Sequence, residues 1–288
     1  MSHFSISVVM PAKNEAGAIG SVIEAVRQQL PHAEILVVDD GSSDETGSIA
    51  KSAGARVVSH RYSMGNGAAI KTGARSATGD IIVFMDADGQ HDPADIRRLI
   101  DKIDEGYEMV VGARSDNAHA NAGRGIANRL YNRLATYMAG QKIFDLTSGF
   151  RAVRAHRFRE FIYLLPNGFS YPTTITMSFF RAGYAVAYVP ITAAQRVGKS
   201  HIQPLKDGLR FLVIIFKIGT LYSPLKLFLP IALIHGLLGI SYYAYTYSTA
   251  ARLSIATVFM LTAAVTIFLI GLVSEQITAL MYKDDGKT

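Results

Sequence analysis

Two stretches near the C-terminal end limit what this chain can fold into more than anything else in it. Residues 227–251 hold no Asp, Glu, Lys or Arg across 25 positions, and residues 253–274 repeat this across 22, with only Arg252 between them. A helix needs about 20 apolar residues to cross the hydrocarbon of a bilayer, so each run is long enough. The one-residue link makes the pair a helical hairpin. Their weight shows in the composition: 18% of the 288 residues are charged and the mean hydropathy is +0.21, against about 25% charged in an ordinary soluble domain. A purely soluble protein, a disordered chain and a disulfide scaffold are excluded. With no Cys, thiolate chemistry is excluded as well.

Residues 1–226 read as ordinary α/β protein, enough for one well-buried domain. The apolar run at residues 5–10 has no basic segment before it and stops at Pro11, Lys13 and Glu15, too early for a secretory signal. The domain is therefore expected in the cytoplasm. The net charge of +6 does not point to nucleic acid, because the excess is local. Arg196, Lys199, Lys206, Arg210, Lys217 and Lys226, opposed only by Asp207, lead into the first apolar run, and Lys283 and Lys287 follow the second. By the positive-inside rule both ends of the hairpin face the cytoplasm. A polyanionic lipid headgroup is the sharper use of the same cluster. Residues 204–218 place Leu205, Leu209, Leu212 and Phe216 on one helical face, the pattern of a helix lying in the membrane interface; packing on the soluble domain is the plainer account.

Short apolar runs alternate with helical spacing through the first half. Strands are expected at 5–10, 34–39, 55–59, 80–85 and 109–112, the first ended by Pro11. Helices are expected at 17–30, 44–53 (capped by Ser42, Ser43 or Asp44), 65–77 and 93–104. A loop leading into a helix is expected over 118–140, and a turn and strand over 144–153. This alternation implies a mostly parallel sheet covered on both faces, with ligands at the carboxyl ends of the strands. The polar clusters fall at those ends: PAKNE at 11–15, DDGSSDET at 39–46 and DADGQH at 86–91.

Asp86 and Asp88 sit one residue apart after the buried run IIVFM, where paired carboxylates call for solvent or a cation. Hard oxygen ligands suit Mg²⁺ or Mn²⁺, which keep one or two carboxylates plus substrate phosphates. A capping turn before Pro93 is the bland alternative. Asp39 and Asp40 follow the second strand in the same way, and one of the two carboxylates can accept from a base N–H or a ribose hydroxyl, beside Gly41, which permits close backbone approach; a helix N-cap with a glycine turn is the plainer account, favoured for Ser43 and Asp44. No GxGxxG or Walker A loop is present, which disfavours dinucleotide enzymes and P-loop ATPases. Residues 65–67 open a helix and read as a turn rather than a phosphate loop. His91, alone, carries no assigned role, and neither does His235. The tyrosines at 242, 243, 245 and 247 read as an interfacial aromatic belt.

PAKNE, VVDDGSSDET at 37–46, GNGAAIKTG at 65–73, DADGQH, GAR at 112–114, DLTSGFRA at 145–152 and RVGKSHI at 196–202 occur in this order. Together they resemble the inverting glycosyltransferases of family 2, in the branch of dolichol-phosphate mannose synthases and other polyprenyl-phosphate glycosyltransferases. The resemblance runs from about Ser5 to the end of the chain. It implies an α/β GT-A nucleotide-diphospho-sugar transferase fold, followed by the interfacial helix and a transmembrane hairpin. It implies that Pro11, Lys13, Glu15, Val38 and Asp40 surround the nucleoside, that Asp86 and Ala87 line the ribose and diphosphate, and that Asp88 and Gln90, with Asp86, hold the metal. Arg114 would meet phosphate; Arg124 or Arg129, and Arg196 with Ser200, would contact acceptor or donor phosphates. Asp145 matches an aspartate proposed as a base in relatives, and its other use is to orient an arginine or the acceptor loop. Gly89 stands where Leu is common and His201 where many relatives have Lys. Processive relatives carry QxxRW, and this chain has no Trp.

The expected organisation is a catalytic domain over 1–203, an interfacial helix over 204–220 and a two-helix membrane hairpin over 221–288. The expected reaction is metal-dependent (Mg²⁺ or Mn²⁺) transfer of one hexose from GDP-mannose, UDP-glucose or UDP-N-acetylglucosamine to polyprenyl phosphate at the cytoplasmic face of a membrane. Alternatives are another glycolipid acceptor or a non-enzymatic membrane scaffold. The expected partners are the nucleotide sugar, the polyprenyl phosphate and the bilayer. Gly236 and Gly239 would permit close helix association between copies.

Overall fold

A computed structural model of the chain describes residues 4–114, 122–168, 170–192, 216–217 and 219–281, with side chains from residue 129 onward in the helix that begins at Ala122. The chain divides into two compact units, Met1–Thr136 with Gln141–Ile202, and Tyr137–Gly140 with Gln203–Thr288. The interfacial helix expected over 204–220 lies mostly outside the described residues.

The first unit begins with strands and helices in strict alternation: β1 (Ile6–Ala12), α1 (Ile19–Gln29), β2 (Glu34–Asp39), α2 (Thr46–Ser52), β3 (Arg56–Ser59), α3 (Asn66–Ser76), β4 (Ile81–Phe84), α4 (Asp95–Asp104) and β5 (Met109–Arg114). It continues with α5 (Ala122–Ala139), β6 (Arg151–Arg154), α6 (Ala155–Glu160), a short 3₁₀ turn at Ile162–Leu164, α7 (Tyr171–Arg181) and β7 (Val186–Ile191). The seven strands form one sheet in the order β3-β2-β1-β4-β6-β5-β7. Every pair is parallel except those made by β6, which runs antiparallel between β4 and β5. The expected mostly parallel sheet is therefore present, with one reversed strand.

Alternation along the strands splits the core into two layers. Val8, Met10, Ile35, Val37, Ile81 and Val83 meet the apolar stripe Ile19, Val22, Ile23 and Val26 of α1 and the stripe Ile96, Leu99, Ile100 and Ile103 of α4. On the opposite face Gly73 lets α3 lie on β1, since a Cβ there would stand 2.3 Å from Val9 Cγ1. Phe84 packs on Phe158 at 4.6 Å between ring centres and on Tyr171 at 6.3 Å.

Two local expectations are corrected. The first strand does not stop at Pro11 but runs through it to Ala12. The Val9 carbonyl accepts Met85 N–H and the Ala12 carbonyl accepts Asp40 N–H. Odd residues of β1 thus face β4, and the pairing with β4 ends at Val9. The missing N–H of Pro11 points where no ladder bond was available. The second helix begins at Thr46 with Glu45 as its cap position, rather than at 44; Asp44 instead accepts Thr46 N–H at 3.0 Å from just outside.

The second unit holds helices Pro224–Ala250 and Ile255–Met281, both long and apolar enough to cross a membrane, with mean hydropathies of 1.7 and 2.4 in their most apolar windows. Only 11% and 17% of those windows are buried, unlike the core helices of a soluble domain. The helices meet where glycine removes the side chain: a Cβ on Gly271 would lie 2.7 Å from Phe228 Cβ, and one on Gly239 2.9 Å from Leu261 Cδ2. The tyrosine group forms two tilted pairs, Tyr242 with Tyr245 and Tyr243 with Tyr247.

Candidate functional site

At the carboxyl ends of β1, β2 and β4 the chain leaves a cavity of about 480 Å³, lined by Pro11, Lys13, Glu15, Asp40, Asp86, Ala87, Asp88 and Gln90. Its walls are tied loops. Asn14, in the left-handed region (φ 56°), accepts Ser43 N–H at 2.8 Å and donates its own N–H to Ser42 Oγ at 3.0 Å. Glu15 N–H donates to Thr46 Oγ1 at 2.8 Å. The segment after β1 is thereby fastened to the segment after β2.

Asp40 supplies a second brace. Its carboxylate accepts the Ser63 hydroxyl at 2.7 Å, Met64 N–H at 2.8 Å and Gly65 N–H at 2.9 Å, and lies 2.7 Å from His60 Nδ1. His60 Nε2 in turn is 2.9 Å from Thr72 Oγ1. Burial alone would raise the Asp40 pKa; the His60 bond, the two backbone donors and the Ser63 hydroxyl outweigh it and hold the carboxyl at about 2. Asp40 thus shapes the 60–65 loop as well as lining the cavity. Val38 is fully buried in β2 behind the lining.

Asp86, with its side chain 40% exposed, and Asp88 face the same space, with Asp88 Oδ1 accepting Gln90 N–H at 3.1 Å. Gly89 makes the turn at φ +74°. His91 folds back behind them, buried, stacked on Phe150 at 4.9 Å with Nδ1 3.4 Å from Asp86 N. Its pKa is lowered, burial outweighing the nearby Asp86 and Asp88 charges; the neutral ring can accept the Asp86 N–H. Among the described residues no three of His, Asp or Glu converge as a closed metal cage. The cavity instead offers an all-oxygen set open on one side, which fits a hard divalent cation completed by substrate oxygens and water.

A second cavity, about 560 Å³, opens at the carboxyl ends of β5 and β7, lined by Arg114, Arg129, Asn132, Arg133, Lys142, Phe144 and Tyr188 among others. Arg114 ends β5 and forms a two-pronged pair with Asp145: Nε donates to Oδ2 at 2.8 Å and Nη2 to Oδ1 at 3.1 Å. Thr147 and Ser148 N–H groups also donate to Asp145 Oδ1, at 3.0 and 3.1 Å. Burial pushes the Asp145 pKa up, but the Arg114 side-chain hydrogen bonds and charge, with the Thr147 and Arg114 backbone N–H groups, leave it below the usual carboxylate range. Burial likewise weakens the Arg114 charge, and Asp145 more than restores it.

The turn carrying Asp145 leads into β6, between the ends of β4 and β5. Its anchor is Arg151, fully buried, which donates to the Ser148 carbonyl, to the Pro172 carbonyl at 3.2 Å and to Thr176 Oγ1 at 3.1 Å. Gly149 then passes beside Asp86, where a Cβ would rest in van der Waals contact with Oδ2 at 3.4 Å.

Of the residues named from the sequence, Pro11, Lys13, Glu15, Asp40, Asp86, Ala87, Asp88 and Gln90 are brought together around the first cavity, and Arg114 and Arg129 around the second. The Arg124 side chain, Arg196 and Ser200 lie outside the described residues. Sequence reasoning missed Ser63, Asn66 and Gly168 in the first cavity, and Arg133, Lys142, Phe144 and Tyr188 in the second. The GNGAAIKTG motif carried a signal for Asn66; nothing local marked the others.

The model of the family described as glycosyl transferase family 2 matches residues 7–161, and that described as the GtrB C-terminal hairpin matches 223–280. The chain is 30% identical to glycosyltransferase AglJ of Haloferax volcanii over 71% of this chain and 68% of that one. It is 31% identical to polyprenol monophosphomannose synthase of Mycolicibacterium smegmatis over 66% and 77%. A dolichyl-phosphate hexose transferase of Haloferax volcanii is 29% identical over 70% and 89%. Among solved structures, glucosyl-3-phosphoglycerate synthase of Mycobacterium tuberculosis, in complex with Mn²⁺ and UDP-glucose, superposes with a TM-score of 0.61 at 25% identity, covering 75% of this chain and 78% of that one.

Proposed function

The chain belongs to glycosyl transferase family 2, and on that premise we propose that this glycosyltransferase moves a single hexose from a nucleotide sugar to polyprenyl phosphate at a membrane, inverting the anomeric centre. The observation that carries the reading is the pair of cavities along one edge of the sheet, one lined by carboxylates and the other by arginines, with the Arg114–Asp145 turn between them. The relatives named for dolichyl-phosphate and polyprenol-phosphate products support the acceptor class. The two apolar helices would hold the enzyme where such an acceptor resides.

In this reading the nucleoside diphosphate occupies the first cavity, against Pro11, Lys13, Glu15 and Asp40. A divalent cation held by Asp86, Asp88 and Gln90 would neutralise charge on the departing diphosphate. An acceptor phosphate oxygen attacks the anomeric carbon, the bond from that carbon to the donor diphosphate breaks, and the electron pair leaves with the nucleoside diphosphate. The acceptor phosphate is already an anion near neutral pH, so no strong base is required. Arg114 and Arg129 would orient it, planar guanidinium groups matching phosphate oxygens. Asp145, acidic and saturated with donors, serves better to hold Arg114 than to take a proton. The basic residues flanking the hairpin support a cytoplasmic site and cytoplasmic termini.

The test is transfer by the full-length chain in membranes, supplied separately with labelled GDP-mannose, UDP-glucose and UDP-N-acetylglucosamine, polyprenyl phosphate, and Mg²⁺ or Mn²⁺. Label entering an acid-labile lipid from one donor, abolished by chelator and by Asp88→Asn, is the expected result. Nucleotide binding without lipid-linked label from any donor would overturn the acceptor assignment.

A further inference from the structure

The second cavity has a feature that phosphate binding does not use. Asn132 Nδ2 donates to the Phe144 carbonyl at 2.8 Å, Leu146 N–H donates to Asn132 Oδ1 at 3.1 Å, and Ile143 N–H donates to Thr136 Oγ1 at 3.1 Å. Segment 143–146 is thus fastened to α5, yet Phe144 is 54% exposed. Its ring meets Tyr188 at 5.3 Å between centres, Lys142 Nζ lies 4.7 Å from the same ring, and Pro190 extends the apolar wall. A large aromatic held outward by its own backbone, beside several cations, presents an apolar surface and an anion site within one opening. Arg133 and Lys142 have no carboxylate partner among the described residues.

We propose that the Phe144–Tyr188 wall is a subsite for the first isoprene unit of the acceptor, read together with the phosphate held by the neighbouring arginines. This rests on the acceptor assignment above and deepens it: the enzyme recognises a prenyl phosphate as one unit, not a phosphate whose tail is left to the bilayer. Charge complementarity selects the anion, and the aromatic faces shield the five-carbon unit from water. A polar sugar ring would gain less from this wall, and its binding there is an outcome the experiment detects.

The chain has no Trp, so Phe144→Trp places the single indole of the whole protein on the wall. Full-length protein in detergent is titrated with geranyl phosphate, geraniol, methyl phosphate and glucose 1-phosphate while indole emission is followed. The expected result is a saturable blue shift with geranyl phosphate, half-complete at a concentration at least about tenfold below that of geraniol, and none with methyl phosphate. An equal response to geraniol, an equal response to glucose 1-phosphate, or no response to geranyl phosphate would overturn the proposal. Should Phe144→Trp not fold, calorimetric titration of wild type and Phe144→Ala gives the same decision: Phe144→Ala should lose the preference for geranyl over methyl phosphate while binding methyl phosphate as before. Transfer to full-length polyprenyl phosphate is measured in parallel. Its failure refutes the acceptor assignment, whereas transfer without any geranyl preference refutes only the isoprene subsite.

Discussion

Asp145 can serve the reaction by taking a proton or by holding Arg114, and Asp145→Asn combined with Arg114→Ala separates the two. In the wild type, Asp145 Oδ2 accepts Arg114 Nε at 2.8 Å and the Arg114 backbone N–H at 3.3 Å, while Oδ1 accepts Arg114 Nη2 and the Thr147 and Ser148 N–H groups. An asparagine that keeps its oxygen toward Thr147 and Ser148 must turn its NH₂ toward Arg114 Nε, donor against donor. Breaking a buried pair costs about 3–5 kcal/mol; the Arg114 side chain is 30% exposed and can rehydrate, so about 2–3 kcal/mol of stability should be lost. If Arg114 orients the acceptor phosphate as proposed, misplacing it should cost roughly 10²–10³ in kcat/KM. Loss of a general base is worth about 10²–10⁴, so the single variant does not decide. The double variant does. If Asp145 acts only through Arg114, adding Asp145→Asn to Arg114→Ala should lower kcat/KM by no more than about threefold. It should also raise the melting temperature over Arg114→Ala alone, because it removes a carboxylate left buried without its cation. The readouts are acceptor-saturation kinetics at several pH values and thermal melts. A further hundredfold loss in the double variant, together with disappearance of the acid limb of the kcat profile in Asp145→Asn, would refute the positioning role.

Asp40→Asn should flatten the acid end of the stability curve. A folded pKa of about 2, below an unfolded value near 3.9, contributes about 2–3 kcal/mol that is fully present above roughly pH 5 and lost progressively as pH falls toward 2; denaturation at pH 6, 4 and 3 measures it. Gly67→Ala should lower the melting temperature by roughly 5–10 °C and raise the donor KM. Its Cβ would stand 2.0 Å from the Pro166 carbonyl oxygen, forcing the 166–168 segment off the mouth of the first cavity. Gly271→Val should separate the two apolar helices at Phe228. Accelerated proteolysis of the hairpin in detergent, with nucleotide binding retained, is the expected outcome.

Much of the first half could be read from periodicity because each element is decided locally. The four apolar residues of α1 recur at helical spacing and all four are buried, and residues 34–39 form a strand with the expected bounds. The second half resisted the same reading. In α7 the run YPTTITMSFF is rich in β-branched residues that favour strands, yet it is helical because nine consecutive residues are buried on every side and tertiary packing outweighs propensity. β7 carries Pro190 and sits at the sheet edge, where a missing N–H costs nothing. Around the first cavity, sequence pattern pointed to Asp86 and Asp88, and the family resemblance to Asp40 and to Arg114 of the second, but neither showed how Asp40 distributes its oxygens, because its donors come from a loop more than 20 residues later. The Phe144–Tyr188 wall was invisible for the same reason: its two rings come from a loop fastened to α5 and from β7, and meet only in the folded domain.

The reversed strand also sets a timetable. β4, the apolar run Ile81–Phe84, can pair with β1 as soon as it is made, but its other flank stays open until Arg151–Arg154 arrives. That is roughly 70 residues of further synthesis, several seconds at about 5–20 residues per second. Throughout that interval the nascent chain presents a bare, fully hydrophobic strand edge, the surface most prone to pair with another copy. Substitutions that delay docking of β6, such as changes at Arg151, should therefore appear first as poor yield and inclusion bodies, ahead of any fall in turnover of the molecules that do mature.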